Sequence, residues 1–224
     1  MPPLKVSLIA TPEGSISTLH GLYDVLNAFG MLAGFDEAIP ASPPFQVEIV
    51  GAAAGPVRLA GGLAAQVQRG FADVDETDIV IVPSVVLPAA GWRPGRYPEL
   101  VDWLARAHAR GAHLCSACSG VFLLAETGLF DGRDATVHWS YAPAFRAVFP
   151  AVRLFPERAL LVAGERGELV SSGASMSWHD LVLYLIARHV GPTAAQALAK
   201  FFALQWHRDG LGPYVVFEGG RDHG

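Results

Sequence analysis

The sequence predicts an α/β protein built on a doubly wound, mostly parallel sheet flanked by helices. Three observations predict it. Apolar runs of strand length alternate with amphipathic runs of helical length. The central runs, such as "TDIVIVPSV" (77–85), are apolar nearly throughout, the pattern of strands covered by helices on both faces. Finally, 51% of the 224 residues are hydrophobic and 17% charged, enough to bury one sizeable core.

In chain order, "LKVSLIA" (4–10) is the first predicted strand. "TLHGLYDVLNAFGML" (18–32) follows as a helix, with Leu19, Leu22, Leu26 and Phe29 on one stripe and Ser17 or Thr18 as its cap. "FQVEIVGAA" and "TDIVIVPSV" are the next strands. "YPELVDWLARAHARG" is a helix with Leu100, Trp103, Leu104 and Ala107 inward and Gly111 as its stop. "AHLCSAC" is a strand and "SGVFLLAETG" the helix after it. Beyond this point the predicted elements are shorter: "DATVHW" a strand, "YAPAFRAVFP" a helix, and "RALLVAGERGELVSSG" two strands around a turn. "SWHDLVLYLIARHVG" is a buried helix whose Ser177 and Asp180 have capping-box spacing, and Pro192 opens a last helix to about Trp206. The expected division is a domain over 1–206 and a glycine-rich, linker-like tail over 207–224.

Charge narrows the function classes. The net charge is −5, and no lysine–arginine cluster supplies the positive field on which nucleic-acid affinity depends. No apolar run approaches the ~20 residues of a membrane span, and the N-terminus lacks a secretory pattern. Cys115 and Cys118 stand too close together to staple a secreted fold. The expectation is a cytoplasmic protein with no membrane partner. The eight histidines show no ligand spacing, so neither a metal nor another cofactor is expected.

The chemistry concentrates on "CSACSG" (115–120). Ligands of a doubly wound sheet gather at the carboxyl ends of its strands, and Cys118 falls where a strand gives way to a helix. A tight turn there lifts a side chain into the cleft, and a helix start favours the thiolate. Cys115, inside the strand, is core. His138 is expected to end the next strand and reach the same edge, which would make a cysteine–histidine pair. A buried thiol beside a capped imidazole is the alternative reading of those two residues. A redox C-x-x-C pair fits poorly, because its first cysteine would lie inside the strand.

"CSACSGVFLLAETGLFDGRDATVHW" (115–139) resembles the cysteine elbow and following strand of the ThiJ/PfpI superfamily, which has the flavodoxin-like, class I glutamine amidotransferase-like fold. More narrowly, it looks like the N-terminal domain of AraC-type transcription regulators of the GlxA kind. The similarity continues through "VSSGASMSWHDLVLYLIARHVG" and "LAKFFALQWHRDGLGPYVVF". The resemblance implies a homodimer that senses a small-molecule effector and reaches DNA only through a helix-turn-helix domain following the tail.

Two parts depart from the active relatives. Where they carry an acid at the start of the first helix, this chain has Thr18, with Glu13 in the preceding loop as the nearest carboxylate. Where they use Gly-Gly after a proline to bind the reacting oxygen, "VPSVVLP" offers Ser84 and Val85, and a β-branched residue resists the positive φ of glycine. A site with its thiol but without those supports suits holding a ligand better than turning one over. The expectation is therefore an effector site of Cys118, His138, Trp139, Thr18, Glu13, Ser84, Val85 and Ser119. The alternative is a cysteine-dependent enzyme similar to isocyanide hydratase, with Cys118 as nucleophile, His138 or Glu13 as proton carrier and Ser119 as a donor.

The charge balance predicts that this chain alone shows no sequence-selective binding to duplex DNA at ~150 mM salt. Fluorescence anisotropy against labelled duplexes measures it, and tight selective binding would contradict a separate DNA-binding domain.

Overall fold

A computed structural model describes residues 2–89 and 91–215. Strand β1 (Leu4–Ile9) leads into α1 (Ile16–Asn27) and the single turn α2 (Phe29–Leu32). Strand β2 (Phe45–Gly51), the hairpin β3 (Gly55–Arg58) and β4 (Ala64–Val67), and the short β5 (Arg69–Gly70) come next. Strand β6 (Ile79–Val82), helix α3 (Pro98–Ala109), strand β7 (His113–Ala117) and helix α4 (Val121–Ala125) form the next βαβα run. They are followed by β8 (Asp134–Ala135), α5 (Ala142–Val148), β9 (Arg153–Leu154), β10 (Leu160–Ala163) and β11 (Leu169–Ser172). The helices α6 (Trp178–His189), α7 (Pro192–Phe202) and the one-turn α8 (Gly212–Val215) complete the described chain.

Seven strands form the main sheet in the order β10-β11-β7-β6-β1-β2-β5. Every pairing is parallel except β10 with β11, whose hairpin connection requires the antiparallel one. Side chains alternate between the faces. Val6, Leu8, Ile79, Ile81, Cys115 and Val170 pack with α1, α6 and α7, whereas Val80, Val82 and Leu114 pack with α3, α4 and α5. That two-sided burial is why the strands are apolar throughout. Helices α1 and α6 approach closely at Gly21, where a Cβ would lie 2.5 Å from the Trp178 ring. Trp178 is thus a core anchor.

Several local expectations change. The predicted helix over 18–32 begins two residues earlier and breaks at Ala28. Its N-cap is Ser15, without a side-chain cap bond, and Thr18 lies buried inside the first turn. The strand predicted over 134–139 is only β8, which pairs with β9 in a separate two-stranded sheet. His138 therefore does not end a strand of the main sheet. Helix α7 stops at Phe202 because Ala203 turns left-handed at φ 53°. Asp180 is no helix cap: both its oxygens engage His207. After Trp206 the chain is anchored again at Leu211, which is 1% exposed and donates its amide to the Glu157 carbonyl at 2.7 Å. Residues 216–224 of the expected tail lie outside the described residues.

At the opposite edge of the sheet from the chain's cysteine turn, the His113 and His189 rings stand 5.8 Å apart. His113 Nδ1 and His189 Nε2 are buried without a hydrogen-bond partner among the described residues. Burial pushes both imidazoles below the usual histidine range, helped by Arg188 near each, by Arg166 near His113 and by His113 near His189. Both are neutral in the folded chain, whereas unfolded histidine takes up a proton near pH 6.5. Their share of stability is therefore intact above that value and lost as pH falls below it. The melting temperature should drop between pH 7.5 and 5.5 by more in the parent chain than in His189→Phe, as read by circular dichroism.

Candidate functional site

The site is built on a strand-to-helix turn. After β7, Cys118–Gly120 form one 3₁₀ turn that runs into α4. Cys118 takes φ 53°, a left-handed conformation that costs a non-glycine residue about 1–3 kcal/mol. Gly120 explains why it is held. A Cβ there would sit 2.2 Å from the Val82 carbonyl oxygen and 2.6 Å from that of Pro83, so only glycine lets this turn lie against the end of β6.

Neighbouring hydroxyls complete the turn. Ser119 Oγ accepts from the Val85 amide at 3.0 Å and donates to the Val85 carbonyl at 2.5 Å. Thr18 Oγ1 donates to Ser84 Oγ at 3.2 Å. The loop carrying Glu13 pairs with the same segment: Val86 donates to the Glu13 carbonyl and Ser15 to that of Ser84, each at 2.8 Å. Glu13's carboxylate is held by the Arg96 guanidinium and the Tyr97 hydroxyl. Arg96 and Tyr97 also line a cavity of about 240 Å³ with Thr11, Pro12 and Phe71, beside the C-terminal ends of β1 and β2.

Cys118 is 3% exposed. Burial pushes its pKa up, against the Ser119 amide and the hydroxyls of Ser119, Ser84 and Ser175, which favour the anion. This reverses the expectation that the helix start would make Cys118 an acidic thiol. Helix α4 spans only five residues, and desolvation outweighs the hydrogen bonds that favour the thiolate. Cys115, fully buried in β7, is pushed up to about 12.

His138 stands half-exposed at the start of the 3₁₀ turn Trp139–Tyr141. Its Nδ1 lies 2.7 Å from Ser140 Oγ and accepts from the Ser140 amide at 3.2 Å, and its ring stacks on Trp139 at 4.0 Å. The Tyr141 ring is 5.7 Å from His138, and burial followed by the Cys118 charge pushes its phenol up.

Thr18, Ser84, Val85 and Ser119 thus gather at the turn with Cys118, and Glu13 reaches it through its backbone while its carboxylate is engaged elsewhere. Sequence reasoning missed Ser175 and Tyr141. Ser175 had a signal: "VSSGAS" ends β11, the parallel neighbour of β7, where Ser172 pairs with Ala117. A strand and its parallel neighbour deliver their following residues to the same edge. Tyr141 had none beyond its nearness to His138. Among the described residues no group of three or more His, Cys, Asp or Glu is placed to hold a metal ion, and no helix is long and apolar enough to cross a membrane.

The sequence pattern of the DJ-1/PfpI family matches residues 22–180, which include the whole cysteine turn. The chain belongs to the DJ-1/PfpI family. It is 32% identical to the HTH-type transcriptional regulator CdhR of Pseudomonas aeruginosa over 162 residues, 71% of this chain and 45% of CdhR. It is 27% identical to isonitrile hydratase of Pseudomonas putida over 194 residues, 86% of this chain and 75% of that enzyme. An AraC family transcriptional regulator structure from Pseudomonas putida superposes with a TM-score of 0.73 at 20% identity, over 89% of this chain and all of that one. This DJ-1/PfpI chain therefore spans less than half of CdhR's length.

The raised thiol predicts the pH course of alkylation. Cys118 labelling by iodoacetamide should be slow at pH 7 and still climbing at pH 9, because the thiolate fraction rises through that range. Peptide mass mapping should find Cys115 unlabelled; a Cys118 plateau by pH 7 would contradict the role given to burial.

Proposed function

We propose that this chain is the effector-sensing, non-catalytic domain of an AraC-type transcriptional regulator, with its ligand site around Cys118. One observation carries the non-catalytic reading: the groups a reaction would need are bonded to one another. The Val85 N–H is taken by Ser119, the Ser119 hydroxyl by Val85, and the Glu13 carboxylate by Arg96 and Tyr97. Losing an oxyanion donor costs ~10²–10³ in rate, and losing a general acid or base another ~10²–10⁴. The remaining wall of thiol, hydroxyls, indole and imidazole suits a small, uncharged polar ligand.

The regulator half of the proposal draws on the likeness to CdhR and to the AraC family structure. DNA binding then belongs to a helix-turn-helix domain reached through the segment after Trp206, and the domain works in the cytoplasm as a homodimer. A second reading has its own support. Isonitrile hydratase matches over three quarters of its length, and Cys118 keeps a strained elbow. That reading makes the chain a cysteine-dependent hydratase.

A metabolite screen by thermal shift, run beside a kinetic screen of isonitriles, amides and glyoxals, separates the two. The sensor reading expects a ligand-dependent rise in melting temperature that Cys118→Ser alters, with no turnover above background. Multiple turnovers in the parent, lost in Cys118→Ser, would establish the hydratase reading instead.

A further inference from the structure

Two sets of contacts lead away from the thiol, and both end on the segment after α7. The first runs through one helical start. The 3₁₀ turns Cys118–Gly120 and Ser175–Ser177 lie against each other, and the second continues directly into α6. Asp180, in the first turn of α6, is 2% exposed. Its Oδ1 accepts from the His207 amide at 2.8 Å and its Oδ2 lies 2.7 Å from His207 Nδ1. A buried carboxylate left without these partners would be costly, so the segment is tied firmly at His207.

The second set is aromatic. Tyr141 packs against the core that includes Val85 and Val121, and it neighbours His138, which stacks on Trp139 at 4.0 Å. Trp139 in turn lies parallel to Tyr214 at 6.5 Å and 11°, and Tyr214 sits edge-on to His207 at 6.2 Å. Between the two ends, Leu211 is buried and its amide bonds to Glu157.

The ties differ in strength. His207 is held by a buried carboxylate, whereas Tyr214 is 46% exposed, with its ring against Trp139 and His207 and its amide bonded to the Leu211 carbonyl. A cavity of about 430 Å³, lined by Glu157, Arg158, Asp180, Trp206 and His207 among others, lies against the segment. The wall beside the thiol has a matching weak part. Cys118 is 3% exposed, so anything that reaches the sulfur must first displace some of its surroundings. The strands, α1 and α6 are packed into the two cores, whereas the turn Trp139–Tyr141 has no buried residue and touches a core only through the half-buried Tyr141. That turn is the part able to give way, and it is the part on which Tyr214 rests.

We propose that residues 207–215 form a latch over the Cys118 site. The segment is docked while the site is empty; filling the site displaces the Trp139–Tyr141 turn, breaks the Trp139–Tyr214 stack and frees the segment beyond Leu211. His207 remains the hinge. The inference rests on reading the Cys118 site as a ligand site and adds how its occupancy is passed to the C-terminal segment. Coupling of this kind is reciprocal: undocking the segment must open the thiol to the same degree that filling the site undocks the segment.

Iodoacetamide tests both directions on the intact chain without knowledge of the effector, since the thiolate sulfur displaces iodide and leaves a carboxamidomethyl group in the site. Tyr214→Ala should react at Cys118 about ten-fold faster than the parent at equal pH, with Cys115 still unlabelled and Tyr214→Phe restored to the parent rate. In the reverse direction, hydrogen–deuterium exchange of the Leu211–Val215 amides should quicken in the modified parent. A Tyr214→Ala rate within about two-fold of the parent, labelling of Cys115 in step with Cys118, or unchanged exchange after modification would each overturn the latch. A thermal-shift screen without any ligand alongside positive alkylation and exchange results would remove the sensor reading and leave the coupling standing; a ligand that binds while both latch measurements fail would do the opposite.

Discussion

The close approach of Gly120 to the Val82 and Pro83 carbonyls is the constraint on which the site depends. It places the residue after the β7 turn directly on the end of β6. Cys118 must then take up a left-handed φ, and Ser119 is brought to both backbone groups of Val85. Val85, fixed by Ser119, forms the bridge with Gly14 that carries the Glu13 loop. Each later contact presupposes the earlier one. A side chain at residue 120 would push β6 and β7 apart at the one place where the sheet meets the thiol.

The same packing decides the character of the thiol. A turn that is only strained would leave Cys118 open to solvent and to the Ser119 amide. Here the Ser119 amide and neighbouring serine hydroxyls favour the anion, yet the wall around the sulfur excludes water, and the cost of a buried anion outweighs them. The hydroxyls of Thr18, Ser84 and Ser119 spend hydrogen bonds on each other and on the backbone. This arrangement is coherent for a pocket that must hold its shape while empty. Catalysis needs groups that stay available to the transition state and are therefore incompletely satisfied beforehand.

The two edges of the sheet show one principle with different outcomes. At the Cys118 edge, Thr18, Ser84 and Ser119 are paired with one another or with the backbone, while Thr11 Oγ1 and Ser116 Oγ have no hydrogen-bond partner among the described residues. At the other edge, His113 and His189 each keep an unpartnered nitrogen among the described residues, and their neutrality depends on pH. Asp180 and His207 stand between these cases: buried and fully paired, but across a joint between α6 and the C-terminal segment. Pairing across a joint is what lets a local event reach distant chain.

Much was legible in the sequence. The parallel sheet, the two-sided burial, the turn at Cys118 and the core position of Cys115 followed from apolar runs, strand lengths and a Cys-Ser-Gly step into a helix, all signals carried by residues close together in the chain. Neighbouring residues decide periodicity and turn chemistry, so sequence alone determined the architecture and the place of the thiol. The rest was not local. The left-handed φ of Cys118 depends on β6 lying against Gly120, and the position of His138 on β8 pairing with β9 rather than joining the main sheet. Asp180 looked like a cap because its partner His207 lies a whole helix away in the chain. The direction of the thiol's pKa pitted hydrogen bonds that favour the anion against desolvation, and only the packed wall sets how much water is removed. Tertiary structure decided those points because burial and long-range pairing are properties of the folded surface, which no single stretch of sequence contains.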